Sequence, residues 1–152
     1  MMAHVRKQIR DKFVTILTAG VPLVSKRVYA TRVYSLTQAK LPAITISSGA
    51  ESSGLMTIGA TMGAKSLNRT LEITVSIYEN ANASLDSLID AIAVQIEEAI
   101  GADFTLSGIA KQSVLTSTNI EFSGETEQPV GIATLTFSVQ YITSLTDVQT
   151  AR

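Results

Sequence analysis

The sequence predicts an α+β domain of two layers: a mixed, mostly antiparallel sheet of about five strands, two helices on one face, and a long projecting loop or hairpin. Three observations carry this. Arg69–Tyr78 alternates without a slip, Leu71, Ile73, Val75 and Ile77 pointing one way and Thr70, Glu72, Thr74 and Ser76 the other, the period of a strand buried on one face. Soon afterwards Leu85, Leu88, Ile89, Ile92, Ile96 and Ile100 recur at three- and four-residue steps, one stripe of a helix. A one-sided strand and a one-sided helix fold back on each other, so Leu88, Ile92 and Ile96 are expected to be buried against Ile73 and Val75. The third observation is the order of periods along the chain, α-β-β-loop-β-α-β-β.

Ala3–Thr18 has helical period: Val5, Ile9, Phe13, Ile16 and Leu17 form a narrow apolar stripe, with Arg6 and Arg10 on one flank and Lys7 further round. Gly20-Val21-Pro22 is the expected stop. Lys26–Tyr34 and Leu41–Ser47 are two short strands, Pro42 marking an edge or a strand entry. Ser48–Asn68 then breaks every pattern. It holds Gly49, Gly54, Gly59 and Gly63 with the apolar Leu55, Met56, Ile58 and Met62, and is expected to be a loop whose ordered form is a hairpin turning near Gly59–Gly63. After the central strand, Asn82 or Ser84 caps the second helix and Gly101 stops it. Lys111–Phe122 is a strand with Val114, Thr116, Thr118, Ile120 and Phe122 on one face. Gly124–Pro129 is an acidic turn, and Val130–Ile142 is the last strand, with Leu135, Phe137, Val139 and Tyr141 alternating against polar residues. Thr143–Arg152 is expected to be a loose polar tail. Nothing divides the chain, so residues 1–152 are expected to form one domain.

Hydrophobic residues make up 45% and charged residues 16%, which excludes a disordered chain and a highly charged nucleic-acid binder. Cysteine is absent, so disulfides and thiolate metal sites are excluded. Neither a signal-peptide core nor a run of roughly 18 apolar residues is present, and a soluble intracellular product is expected. Charge is segregated along the chain. Residues 1–40 hold eight bases against one acid (+7), and the remainder holds four bases against twelve acids (−8). A polar subunit of this kind can turn its basic side to nucleic acid or to the acidic side of a neighbour.

No catalytic constellation emerges, and no enzyme is expected. His4 is the only histidine and begins a helix, which leaves a Ser–His–Asp site dependent on an end group. Asp86 and Asp90 at i,i+4 are explained by the positive end of their helix better than by a shared cation. Gly63-Ala64-Lys65-Ser66 has the composition of a phosphate loop with the wrong spacing. No cofactor and no metal are expected. Arg6, Arg10, Arg27 and Arg32 can reach phosphates, but no recognition motif accompanies them.

The run His4-Val5-Arg6-Lys7-Gln8-Ile9-Arg10-Asp11 resembles the opening helix of phage tail-terminator proteins, the minor tail protein U type of long-tailed phages. Arg27-Val28-Tyr29, Leu41-Pro42-Ala43-Ile44 and the closing Gly131–Tyr141 strand are similar to that family in order and spacing. The likeness covers nearly the whole chain, and related head–tail joining proteins share the fold. The resemblance implies a virion protein of the head–tail junction, assembled in the host cytoplasm. It implies a hexameric ring that caps the tail tube protein, stops its polymerisation and presents a docking face to the head–tail connector, with DNA passing through the lumen unread. On this reading Arg6, Arg10, Arg27 and Arg32 face a neighbouring subunit or the lumen, and Leu55, Met56, Ile58 and Met62 contact the tail tube. A small enzyme and a non-specific nucleic-acid binder are the competing classes.

Overall fold

The computed structural model describes residues 3–24, 27–30, 42–56, 65–80, 85–123 and 130–152. Helix α1 (Val5–Gly20) is followed by β1 (Val28–Ala30), β2 (Ala43–Met56), β3 (Ser66–Asn80), α2 (Leu85–Ala102), β4 (Gln112–Ser123) and β5 (Val130–Ser144). The five strands form one sheet in the order β1-β2-β3-β5-β4. β1 runs parallel to β2 and every other pairing is antiparallel. This is the expected α+β arrangement with its mixed, mostly antiparallel sheet.

The core follows the periods in the sequence. Ile44 and Ile46 on β2, Leu71, Ile73, Val75 and Ile77 on β3, and Leu135, Phe137, Val139 and Tyr141 on β5 are buried on the helix side of the sheet. Over them lie Val5, Ile9, Phe13 and Leu17 from α1, and Ile89, Ile92, Ile96 and Ile100 from α2. Ile16 and Leu88 are only partly buried at the edge of this layer, so Leu88 is less enclosed than expected. Phe13 meets Phe137 edge to face with ring centroids 5.5 Å apart. The helices approach each other closely at Gly20, where an added Cβ would lie 2.8 Å from Ala99 Cβ.

Several sequence expectations are corrected. α1 ends within the expected Gly20-Val21-Pro22 stop, but α2 runs past Gly101 to Ala102. The turn after α2 uses Leu106, Ser107 and Gly108 at φ 54°, 59° and 91°. The first two are left-handed without being glycine, a costly conformation. The Asp103 carboxylate holds the turn by accepting from Ser107 N at 2.9 Å and Ser107 Oγ at 3.1 Å. Ser48–Asn68 is not a loop throughout: β2 continues to Met56, and β3 begins at Ser66. Its first half is disguised by a bulge between Ser48 and Glu51, which lets both Ser48 and Glu51 align with the core-facing Ile73 and Leu71. In β4 a second bulge at Thr116 separates residues expected on one face. Val114 pairs with Ser138 on the open face and is 48% exposed, whereas Thr118 and Ile120 pair with Leu135 and Ala133 on the helix side.

The tail is not loose. Val148 O accepts from Val5 N at 2.9 Å, Leu145 N donates to Lys65 O at 2.9 Å, and Arg152 N donates to Ile142 O at 2.8 Å. Gln8 Nε2 reaches Gln149 O at 2.7 Å, and Ala151 packs against the core. The expected caps Asn82 and Ser84, the acidic turn Gly124–Pro129, the strand portion 31–34 and the turn near Gly59–Gly63 lie outside the described residues.

Candidate assembly surfaces

The residues singled out in the sequence fall on different parts of this frame. Arg6 and Arg10 lie on one flank of α1 and reach down to β2. Arg6 Nη1 donates to Glu51 Oε2 at 2.8 Å, and Arg10 Nη1 lies 3.5 Å from Ser48 Oγ. Arg10 Nε is buried with no hydrogen-bond partner. Arg27 stands just before β1 and donates from Nε to Pro42 O at 3.0 Å. Arg32, Ile58 and Met62 lie outside the described residues, as does the side chain of Met56. Leu55, near the end of β2, is 51% exposed. Three of the four arginines thus share the β1–β2 side of the molecule, while Leu55 stands further along β2.

Sequence reasoning missed the charge cluster below Arg6. The bulge in β2 swings Glu51 onto the helix side, where its side chain is only 8% exposed. There it accepts from Arg6, from the hydroxyl of Tyr141, and from Arg69 Nη1 at 3.5 Å. Arg69, 11% exposed, also donates from Nε to Thr143 Oγ1 at 3.0 Å. One carboxylate therefore ties together α1, β2, β3 and β5. Burial first, and then the hydrogen bond and negative charge of Glu51, push the Tyr141 hydroxyl far above its ordinary range, so it remains a neutral donor. The cluster has the chemistry of a brace: its members satisfy one another. A signal existed in the sequence, since Arg69 shares the parity of Leu71 and Ile73 on the buried face, and a charge on such a face requires a partner.

His4 is the N-cap of α1, its Nδ1 accepting from Arg6 N at 3.0 Å. That bond requires an unprotonated Nδ1. Burial, then repulsion from Arg6 and Arg69, hold the imidazole below its ordinary value, with Glu51 opposing. A histidine with a lowered folded pKa takes up its proton more readily when unfolded, so stability is lost as pH falls through the unfolded value of about 6.5. His4→Asn keeps a capping oxygen without a proton to gain. Urea midpoints compared at about pH 7.5 and about pH 5.5 should therefore fall less for His4→Asn than for the parent. Equal falls would show that His4 does not titrate the cap.

The open face of the sheet is largely hydroxylic: a shallow depression there is lined by Ser52, Thr70, Glu72, Thr116, Thr136 and Ser138, among others. Among the described residues no three His, Asp or Glu side chains are grouped to hold a metal, and no helix is long and apolar enough to cross a membrane. The outward side of α2 carries Asp86, Asp90, Glu97 and Glu98, none of which forms an ion pair among the described residues, with Val94 at its middle, 51% exposed. The charge segregation of the sequence has thus become spatial, with a basic α1 beside an acidic α2.

No protein-family model matches the chain, and no curated protein matches its sequence. Among solved structures, the chain is similar to one described as "Virion of native gene transfer agent (GTA) particle", with 17% identity, a TM-score of 0.45, and coverage of 90% of this chain and 92% of that chain.

Proposed function

We propose that this protein is a structural component of a virion, a subunit of a hexameric ring that caps a phage tail tube, halts its polymerisation and offers a docking face to the head–tail connector. DNA passes through its lumen without being read. The sequence resemblance to tail terminators supports this, and the single structural observation that carries it is the β2–β3 hairpin. Its strands, 14 and 15 residues long, run to Met56 and Ser66 at the end of the sheet, with Leu55 exposed there, and lead into the segment containing Ile58 and Met62. The Glu51 brace ties β2 to α1, β3 and β5, so the strands that lead into this segment are rigidly held. Apolar residues carried away from the core gain by burial against a partner, here the tail tube.

Replacing residues 57–65 with an Asn-Gly turn closes the hairpin on its Met56–Ser66 pair without touching either strand or the brace. The variant should melt like the parent, yet tails assembled with it should lose their fixed length or fail to join heads. Normal particles from the shortened protein would overturn the tail-contact role. Failed joining on tails of normal length would favour a neck protein of the same fold. A monomer retained on DNA in a salt-sensitive way would favour the nucleic-acid binder.

A further inference from the structure

We infer that copies of this chain associate side by side through opposite flanks of the helix layer: the α2 flank bearing Asp86, Asp90 and Glu97 receives the arginine-bearing β1–β2 edge of the next copy. The inference rests on the ring reading and names its lateral contact.

The two flanks follow from the packing. α1 lies over β1 and β2, and α2 over β3 and β4, so each helix has one flank toward its neighbour and one toward its own edge of the sheet. Ala99, beside Gly20, marks the inner flank of α2. At about 100° per residue, Asp90 falls about 180° round from Ala99, with Asp86 and Glu97 within about 40° of Asp90. These three carboxylates therefore occupy the flank turned away from α1, toward the edge strand β4. On α1, Arg10 reaches Ser48 in the part of β2 beyond β1, which pairs only with Ile44–Ile46. Arg27 stands at the same edge, with its guanidinium on Pro42 O.

The two flanks are complementary in charge, and each is incomplete alone. Asp86 and Asp90 are like charges one helical turn apart, a mildly unfavourable arrangement that a cation relieves. Arg10 has a single long hydrogen bond, from Nη1 to Ser48 Oγ at 3.5 Å. Apolar surface lies beside the acids: Val94 is 51% exposed and Ile120, on the helix side of β4, is 41% exposed. The described residues of β4 hold a single charge, Glu121, with no proline or lysine guarding the edge. An apolar centre with a charged rim is the anatomy of a protein–protein contact. Because the two flanks differ, the contact is head-to-tail and generates a closed ring when its rotation closes.

The test is a charge swap read by analytical ultracentrifugation. Asp86→Lys/Asp90→Lys/Glu97→Lys should lose the oligomer at a concentration where the parent is fully assembled, and so should Arg10→Glu/Arg27→Glu. Mixed in equal amounts, the two variants should reassemble with alternating subunits, because each altered flank then meets its complement. Should the arginine variant fail to fold, the carboxylate variant is paired with a salt titration, in which the parent oligomer dissociates as ionic strength rises. A parent monomeric at every concentration overturns the inference. So does an oligomer indifferent to the carboxylate reversal, or two folded variants that do not restore each other. Rings that form as inferred on tails of uncontrolled length overturn the terminator reading and leave this contact standing.

Discussion

Glu51→Ala should lower the stability of the domain by about 3–5 kcal/mol, the penalty of breaking a buried ion pair from one side. The carboxylate, 8% exposed, is the acceptor shared by Arg6, Arg69 and Tyr141. Its loss leaves the Arg69 guanidinium, 11% exposed, holding only Thr143, and strands the Tyr141 hydroxyl in the core. Arg6 suffers least, because it is 43% exposed and returns to water. Glu51→Met/Arg69→Met is the informative companion. It removes both buried charges, so its stability should recover the part of the loss that comes from the uncompensated Arg69 charge, while the Tyr141 hydroxyl still lacks its acceptor. Urea unfolding of the parent, the single variant and the double variant decides the matter. A single-variant loss below about 1 kcal/mol would mean that the cluster behaves as a surface pair and braces nothing.

The same cluster shows where the sequence stops being legible. β3, β5 and both helices are readable because burial on one side imprints a period of two or of three to four, and nothing interrupts it. β2 loses that imprint at Gly49-Ala50. Before the bulge Ile44, Ile46 and Ser48 face the core, and after it Glu51 does, so no single alternation spans the strand. Its serines and glycines imitate a loop because the strand is specified by backbone pairing with β3, and not by its own side chains. The bulge at Thr116 has the same effect in β4, moving Val114 off the face of Ile120.

The brace was legible only at Arg69, whose parity sets a charge on the buried face, and its partners were hidden for a different reason. Glu51 is 18 residues from Arg69, 45 from Arg6 and 90 from Tyr141, so no local spacing announces the group. Tyr141 counts as one more apolar member of its stripe until its hydroxyl is given a partner. The docked tail escaped notice because carbonyls such as Val148 O do the binding, and main-chain groups leave no mark on composition. By contrast, the basic character of α1 and the acidic character of α2 are plain in the charge count. Which flank each charge occupies requires the helix contact at Gly20 and Ala99.

Ile92→Ala should cost about 2–5 kcal/mol, a core effect as large as that of Glu51 but of different origin. Ile92 is fully buried at the centre of the α2 stripe, between Ile89 at 1% and Ile96 at 0% exposure, within the cluster that includes Ile73 and Val75. Truncation removes apolar surface from burial and leaves a void whose size depends on how far α2 can settle. Settling is opposed on one side by the close approach of α1 at Gly20 and beneath by the strands β3, β5 and β4. The loss should therefore lie above the low end of the range. The control is Val94→Ala, two residues further along the same helix but 51% exposed, which should change stability by no more than about 0.5 kcal/mol in the free subunit. Urea curves should shift in midpoint with unchanged slope, because both variants bury nearly the same surface on folding. Equal effects at the two positions would overturn the packing of α2 on the sheet, since helix propensity alone does not distinguish an inward from an outward β-branched residue.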